Sequence, residues 1–331
     1  MLAILDEKLF SVGGTACTGR DVVAAARRWG DWSRFEEEVR QGLACAERAD
    51  DTDEDLDDDE LERAAQEFRY ERDLISGQEM QAWLARWALD ADDWMEHLRR
   101  ARLRARWAGE LASIAAEYPP APGAVEAAVH ADAVCSGFLA AAARKLAGRA
   151  AAAARAREEG WIAAAPAGGD LEAALDWIDA GFQRFTERVV TSEALAGQVA
   201  LHRLDWIRAE CRCLVLPTLE SAREAALCVR EDGMSLDEVA RNAGVSVEPA
   251  NGFLDAYDPA LHDALRAARP GELVGPTPCG EGIALVLVCD KVLPALVDPV
   301  VRRRAEARLL EAAILREVHQ RVAWHRAELA P

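Results

Sequence analysis

The spacing of apolar residues predicts that the N-terminal part is mostly helical. From Thr18 to about residue 117, apolar side chains recur at intervals of three and four, the period of an amphipathic helix. Thr18 with Asp21 and Ser76 with Glu79 have the spacing of a capping box and predict helix starts. Before them, the segments LAIL and KLF flank Asp6-Glu7 and predict a short hairpin. We therefore expect five helices preceded by a small β element.

The run Pro119-Pro120-Ala121-Pro122-Gly123 is the clearest break in this pattern, because proline cannot continue a helix. After it, residues 124 to about 200 are rich in alanine and keep a helical period, interrupted by Pro166-Ala167-Gly168-Gly169. We interpret this stretch as a helical insert or linker.

From Trp206 onward, short strands and helices alternate. The predicted elements are a strand at Cys211–Leu216, a helix over 220–230, a short helix capped by Ser235 and Glu238, a second short helix from Pro259, a turn over 269–273, a buried strand at Gly282–Lys291 and a long terminal helix from Asp298. The apolar face of the terminal helix has to be buried against another element.

Composition and charge narrow the function classes. The net charge of -19 argues against nucleic-acid binding, because phosphate contacts need lysine and arginine. Nine of the eleven residues from Asp50 to Glu60 are acidic, and we expect this run to be a solvated loop. The N-terminus has no basic region ahead of an apolar stretch, and no window of about 20 residues is apolar throughout. The eight cysteines form no CxxC pair, so we expect reduced thiols in a cytoplasmic protein without a membrane span.

Several short sequence motifs in the last third of the chain resemble those of a known family. They are Ala222-Arg223-Glu224-Ala225-Ala226, Ser235-Leu236-Asp237-Glu238-Val239-Ala240, Arg269-Pro270-Gly271-Glu272-Leu273-Val274-Gly275-Pro276 and the strand Gly282–Lys291. In this order they resemble the parvulin domain of the PpiC/SurA family of peptidyl-prolyl isomerases and chaperones. The N-terminal helices and the terminal helix resemble the SurA-like arrangement, in which the last helix packs back on the N-terminal helices.

The resemblance implies an α+β protein that is mostly helical. We predict four segments: a helical, SurA-like peptide-binding domain over 1–117, an Ala-rich helical insert or linker over 118–205, a degenerate parvulin-like domain over 206–294, and a C-terminal helix over 295–331 that packs on the N-terminal domain.

The chain departs from active parvulins at the positions that matter for catalysis. These enzymes carry one histidine on the first strand and one on the last, and the resemblance puts Cys213 and Ala284 there. The apolar pocket residue expected before the PGE turn falls near Arg266, and Phe253 stands in the remnant of a further family element. We therefore expect no catalytic residues; a variant isomerase site would consist of Cys213, Arg266 and Phe253.

A groove beside such a sheet, or between helices, suits extended peptide. Large amphipathic tryptophans are favoured where peptide anchors dock, although a stripe of tryptophans is typical of a core as well. The residues predicted to contact peptide are Met80, Trp83, Trp87, Trp94, Leu214, Leu216, Phe253 and Leu261.

Three other chemistries are weighed against this interpretation. Cys211 and Cys213 share one strand face and, with Cys228, Cys279 or Cys289, form a candidate zinc set, although buried thiols are the simpler reading. A thiol nucleophile at Cys213 needs a base, and His202 and His262 are the nearest in sequence. Residues 235–246 resemble the start of a helix-turn-helix, but the acidic, proline-containing sequence after them does not suit DNA.

The sequence thus predicts a cytoplasmic peptide-binding chaperone or peptide-maturation partner with an inactive parvulin-like domain, no cofactor and no metal. Its expected partners are an unfolded or precursor peptide and a modifying enzyme, with no nucleic acid and no membrane. The alternatives are an active prolyl isomerase with a variant site and a metal-dependent peptide-modifying enzyme.

Overall fold

The computed structural model describes residues 4–166, 170–280 and 282–330. The chain divides into two compact units: unit 1 contains the residues up to Phe185 together with those from Ile314, and unit 2 is Thr186–Ala313. Both units combine helices with a small antiparallel sheet, and helices predominate. This confirms the predicted α+β, mostly helical class. The boundaries of the four predicted segments stay a prediction.

Unit 1 is built mainly of helices. Its elements are β1 (Lys8–Val12), β2 (Thr15–Thr18), α1 (Gly19–Arg28), α2 (Asp31–Thr52), α3 (Asp58–Glu71), α4 (Gly77–Arg86), α5 (Ala91–Arg106), α6 (Leu111–Glu117), α7 (Ala124–Cys135), α8 (Phe138–Glu158), α9 (Leu171–Val189, up to Phe185) and β8 (Val322–Trp324). The capping boxes at Thr18 and Ser76 are both formed, as predicted.

The small sheet of unit 1 has the strand order β2-β1-β8 and joins the two ends of the unit. The hairpin turns at Gly13-Gly14, where φ is positive at both residues, and not at Asp6-Glu7. The prediction of a hairpin about Asp6-Glu7 is therefore wrong; of the segment LAIL, residues 2 and 3 lie outside the described part. The mistake has a local cause, because glycine reaches positive φ without strain.

The acidic run does not form one loop. α2 continues to Thr52, and Asp57 caps α3 through a box with Glu60, so only residues 53–57 connect the helices. Arginines of α5 neutralise the run: Arg99 bonds both Asp50 and Asp55, and Arg106 pairs with Glu60 at 2.8 Å. The run is exposed to solvent, as predicted, but the prediction of one loop is wrong. The reason is that these arginines, far away in sequence, neutralise acidic charge at two helix ends.

The Ala-rich helix α8 runs through the core of unit 1. Its buried positions are mostly alanine, and they share one apolar cluster with α1, α2, α4 and α7. Small side chains allow close approach of α9: a Cβ atom on Gly181 would lie 2.5 Å from the Cβ of Ala153. Of the interruption predicted before α9, residues 167–169 lie outside the described part.

Among the residues described, no single helix has the length and apolar character to cross a membrane. Helices α7 and α8 have the required length and apolar character only when taken together, and the pair is bent by 69°.

Unit 2 holds a larger sheet with helices on both faces. Its elements are α10 (Ser192–Leu201), β3 (Arg208–Leu216), α11 (Leu219–Arg230), α12 (Leu236–Ala243), β4 (Val247–Pro249), β5 (Gly252–Phe253), α13 (Pro259–Ala267), β6 (Leu273–Cys279), β7 (Gly282–Val292) and α14 (Pro299–Arg321, up to Ala313). The strand order is β4-β3-β7-β6, with β5 also paired to β3, and every pairing is antiparallel.

Each face of this sheet packs on different helices. Alternate residues of β3 and β7, among them Cys211 and Val286, pack under α13, and the others, among them Leu214 and Leu285, pack under α11 and α12. The predicted order of strand, helix, two short helices and strand is present as β3, α11, α12, α13 and β7.

Two strands of unit 2 contain proline and were not predicted. The segment after α12 forms β4, which ends at Pro249, and the segment after the PGE turn forms β6, which contains Pro276 and Pro278. Both strands lie at sheet edges, where proline is tolerated because one side of the strand needs no ladder partner. Because a strand follows α12, the helix-turn-helix alternative is wrong.

Candidate functional site

A cleft of about 510 Å³ opens in unit 1 at the end of α4. We call it the tryptophan cleft. Its lining is Glu71, Arg72, Leu74, Trp83, Arg86, Trp87, Val134, Gly137, Leu139, Ala140, Arg144 and Glu328. Trp83 packs edge-on against Phe68 with ring centroids 5.5 Å apart, which fixes one wall. The buried Nε1 of Trp87 has no hydrogen-bond partner among the described residues.

Three arginines surround the apolar part of the cleft. Arg72 lies over the ring of Phe68 at 3.7 Å and donates to the carbonyl of Cys135 at 2.6 Å. Burial lowers the pKa of Arg72 from its ordinary value. Arg86 pairs with Glu328 at 3.0 Å, and Arg144 donates to the carbonyl of Leu329 at 2.9 Å. The cleft therefore combines an apolar surface with positively charged donors, the two features that an extended peptide needs.

A buried polar network lies behind the cleft between α5 and α7. Asp132 accepts from Arg100 at 2.7 Å, and its Oδ1 lies 2.8 Å from Nδ1 of His97; all three residues are less than 10% exposed. Burial alone raises the pKa of Asp132, but the hydrogen bond with His97 and the charge of Arg100 outweigh it and lower the pKa. On the same helix, Nε2 of His130 bonds the carbonyl of Trp87 at 2.6 Å, and burial lowers the pKa of His130. The bond from His130 ties α7 to the end of α4 that carries Trp87, and the Asp132 network ties α5 to α7.

The structure brings together two of the residues predicted to contact peptide. All four N-terminal residues of this prediction are buried in one core, at 4–9% exposure. Trp83 and Trp87 also line the tryptophan cleft, whereas Met80 and Trp94 do not. Peptide contact at these four residues stays a prediction.

The predicted contacts in unit 2 are dispersed. Leu214 and Leu216 are 0% and 2% exposed under α11 and α12, so peptide would reach them only if this face repacked. Leu261 is buried under the opposite face, and Phe253 packs beside Arg304, whose guanidinium lies 4.5 Å from its ring. These four residues share no cleft in the described part of the unit.

The two positions where the family carries histidines do meet on one face of the unit 2 sheet. Ala284 of β7 pairs with Val215 of β3, two residues from Cys213, so Cys213 and Ala284 are diagonal neighbours. Both belong to the cluster under α13. The face therefore presents a thiol and a methyl group where the resemblance implies two imidazoles.

The chemistry of Cys213 is that of a protonated thiol. Burial, with a smaller contribution from Cys279, raises the pKa of Cys213 above its ordinary value of 9.0. Asp205 lies in the segment that precedes β3. His202, and His262 of α13, each have a ring nitrogen 3.8 Å from its carboxylate. Strand β3 spans about 16 Å between Arg208 at its start and Cys213. The thiol-nucleophile alternative with either histidine as base is therefore wrong.

The variant isomerase set does not converge. Phe253 pairs with Arg208 at one end of β3, five residues before Cys213. Arg266 is exposed on α13, where it pairs with Asp263 at 3.1 Å.

In the part of the chain that the structure describes, no group of three or more histidine, cysteine, aspartate or glutamate side chains is arranged to hold a metal ion. The eight cysteines are free thiols, and Cys45, Cys135 and Cys211 are buried.

Sequence reasoning missed most of the cleft. Arg72, Arg86, Leu139, Arg144 and Glu328 come from four separate segments, and no local pattern links them. In the sequence, Arg144 is one charge within the Ala-rich stretch, and a single charge predicts no site.

The comparisons with known proteins give weak similarities. No family model and no curated protein matches the chain. Its structural neighbours include PrsA and SurA-like chaperones. PrsA from Bacillus subtilis has a TM-score of 0.24 and 12% identity, covering 62% of this chain and 88% of that one. Foldase protein PrsA from Streptococcus pneumoniae has a TM-score of 0.28 and 10% identity, covering 95% and 93%. A SurA-like chaperone of Campylobacter jejuni has a TM-score of 0.20 and 8% identity, covering 97% and 99%. Membership of the parvulin family stays a prediction.

Proposed function

We propose that this protein is a cytoplasmic peptide-binding chaperone whose parvulin-like domain does not catalyse prolyl isomerisation. It holds an unfolded or precursor peptide, and a modifying enzyme acts on that peptide.

The tryptophan cleft is the observation that carries this proposal. Its volume of about 510 Å³ lies within the usual range for ligand sites, and its apolar lining is surrounded by arginines. Trp83 and Trp87, 5% and 4% exposed, form rigid aromatic walls of the cleft, and aromatic surfaces are favoured where peptide anchors dock.

The face of β3 and β7 supports the absence of catalysis. Isomerisation has to lower an amide barrier of about 18–20 kcal/mol, and parvulins resemble one another in placing two histidines at that task. Cys213 and Ala284 occupy those positions, and the raised pKa of Cys213 keeps it uncharged near neutral pH. Free thiols throughout the chain fit a reducing compartment, which supports a cytoplasmic location.

Filling the cleft tests binding. Ala140 lines the cleft, whereas Ala141 is exposed next to it on α8 and does not. We expect Ala140→Trp to weaken binding of labelled unfolded peptides by about tenfold or more, because the indole occupies space that peptide needs. Ala141→Trp is the matched control and should bind like the wild type in fluorescence anisotropy. Equal affinities of both variants would move the peptide site away from this cleft.

A protease-coupled assay on a set of X-Pro peptides tests the parvulin-like domain separately. We expect no acceleration over the uncatalysed rate at high protein concentration. Acceleration that disappears in Cys213→Ala would make the protein an isomerase with a variant site.

A further inference from the structure

Residues 325–330, which we call the strap, lie along the rim of the tryptophan cleft. The strap follows β8 and forms a single 3₁₀ turn at Ala327–Leu329. Its backbone is attached to β1, where the N–H of His325 donates to the carbonyl of Leu9 at 3.0 Å. The side chain of Glu328 forms part of the cleft wall.

Three strap side chains make three different kinds of contact. The guanidinium of Arg326 lies 4.4 Å from the ring of Trp87 and donates to the carbonyl of Arg86 at 2.8 Å. The carboxylate of Glu328 pairs with Arg86 at 3.0 Å. Leu329 is 1% exposed within the core of unit 1. A cation is thus held by an aromatic ring, and an aliphatic side chain three positions later fills an apolar site.

The backbone of the strap is held as a peptide ligand would be. Nε of Arg144 donates to the carbonyl of Leu329 at 2.9 Å, and Nη2 of the same guanidinium reaches the carbonyl of Glu328 at 3.4 Å. Contacts to main-chain carbonyls do not depend on the sequence of the bound segment. The side chain that provides them, Arg144, belongs to α8 and also lines the cleft.

Arg326 also forms an ion pair with Glu7, and the side chain of Arg326 is 16% exposed. The second ion pair of the strap is more open to solvent. Arg86 is 56% and Glu328 is 25% exposed in their side chains, so solvent screens this ion pair. Arg326 and Leu329 are the two contacts that cover apolar surface. A segment with the same two anchors reproduces them and competes for the same groups.

We propose that the strap is an internal pseudo-ligand of the tryptophan cleft, and that the clients are peptide segments carrying a cationic residue three positions before an aliphatic one. This inference rests on the proposed peptide-binding function and names its substrate class. A client displaces the strap, takes the ring of Trp87 and the site of Leu329, and gains the carbonyl contacts of Arg144. In the free protein the strap keeps this apolar surface covered.

The test weakens the strap and leaves the cleft residues of the helices unchanged. The probe is a fluorescein-labelled peptide of sequence His-Arg-Ala-Glu-Leu-Ala, titrated against the full chain. The double variant Arg326→Ala/Glu328→Ala keeps Leu329 and every cleft residue of α4, α7 and α8. We expect it to bind the probe about tenfold more tightly than the wild type, because an internal competitor acts at high effective concentration.

Matched controls isolate the strap. Arg302 and Glu306 form an exposed pair on α14 at 2.9 Å, so Arg302→Ala/Glu306→Ala removes the same charges in unit 2 and should bind the probe like the wild type. A probe with both its arginine and its leucine replaced by alanine should lose binding to every variant. If the strap variant fails to fold, hydrogen exchange on the wild type tests the same proposal. The amides of Leu329 and Ala330 donate to the carbonyls of Arg326 and Ala327 and should lose protection when the probe is added.

The outcomes separate the two proposals. Equal probe affinity in the wild type and the strap variant, with strap amides still protected, overturns the pseudo-ligand and leaves peptide binding standing. If neither this probe nor unfolded peptides bind at all, the proposed function itself is overturned.

Discussion

Asp132 offers the sharpest test of how α5 and α7 are held together in unit 1. It is the acceptor for Arg100 at 2.7 Å and lies 2.8 Å from Nδ1 of His97, with all three residues buried. Asp132→Asn keeps an oxygen in place but removes the charge. Arg100 then stays charged, because guanidinium groups do not deprotonate in proteins. The other carboxylate near Arg100 belongs to Glu96, whose Oε2 lies 3.7 Å from Nη1 of Arg100 and whose side chain is half exposed.

Breaking one side of a buried ion pair costs about 3–5 kcal/mol. Since Glu96 still faces Arg100, we expect the low end, about 3 kcal/mol. For a unit of roughly 200 residues this lowers Tm by about 6–12 °C. The double variant Asp132→Leu/Arg100→Met removes both charges and should cost less than Asp132→Leu alone, with a coupling of about 1–3 kcal/mol.

Tryptophan fluorescence during urea and thermal unfolding suits this measurement. Of the ten tryptophans only Trp206 belongs to unit 2, so the signal reports almost entirely on unit 1. A loss below about 0.5 kcal/mol in Asp132→Asn would refute the reasoning, since this is the range of ordinary surface substitutions.

The pH dependence gives a second readout. The pKa of Asp132 is lowered in the folded state, so its contribution is present above the ordinary value of 3.8 and is lost as pH falls through the folded value. The stability difference between wild type and Asp132→Asn should stay constant from pH 7 to about pH 5 and narrow below about pH 4. A difference that persists undiminished at low pH would contradict a role for the carboxylate charge.

Two further variants test packing and edge protection. A Cβ at Gly181 would lie 2.7 Å from the Cα of Ala153, so we expect Gly181→Ala to destabilise unit 1 by about 1–3 kcal/mol. Gly197→Ala, in helix α10 of unit 2 with open space around it, should be neutral or stabilising; urea unfolding of both variants is followed by circular dichroism, which reports on the helices of both units. Arg230 donates at 2.9 Å to the carbonyls of Leu273 and Gly275 on the edge strand β6. Arg230→Ala uncovers that edge and should raise self-association in analytical ultracentrifugation; a variant that stays monomeric would contradict this role of Arg230.

Local signals in the sequence determined where most elements begin. The capping boxes at Thr18, Ser76 and Ser235 are formed, and Asp298 accepts from the N–H of Val300 at 2.8 Å at the start of α14. The strand around Cys211–Leu216 is present as β3. These predictions succeed because a cap or a strand alternation depends on residues three or fewer positions apart.

Only the tertiary structure decided the rest, because the deciding contacts join residues far apart in the chain. The two ends of the acidic run became helical, and Arg99 and Arg106, more than forty residues later, neutralise charges there. Residues 138–158 form a core helix because alanine and glycine let neighbouring helices approach closely, which alanine content alone does not show. The tryptophan cleft likewise exists only because α4, α7, α8 and the strap meet. Burial and approach distance are properties of these meetings, and no local pattern encodes them.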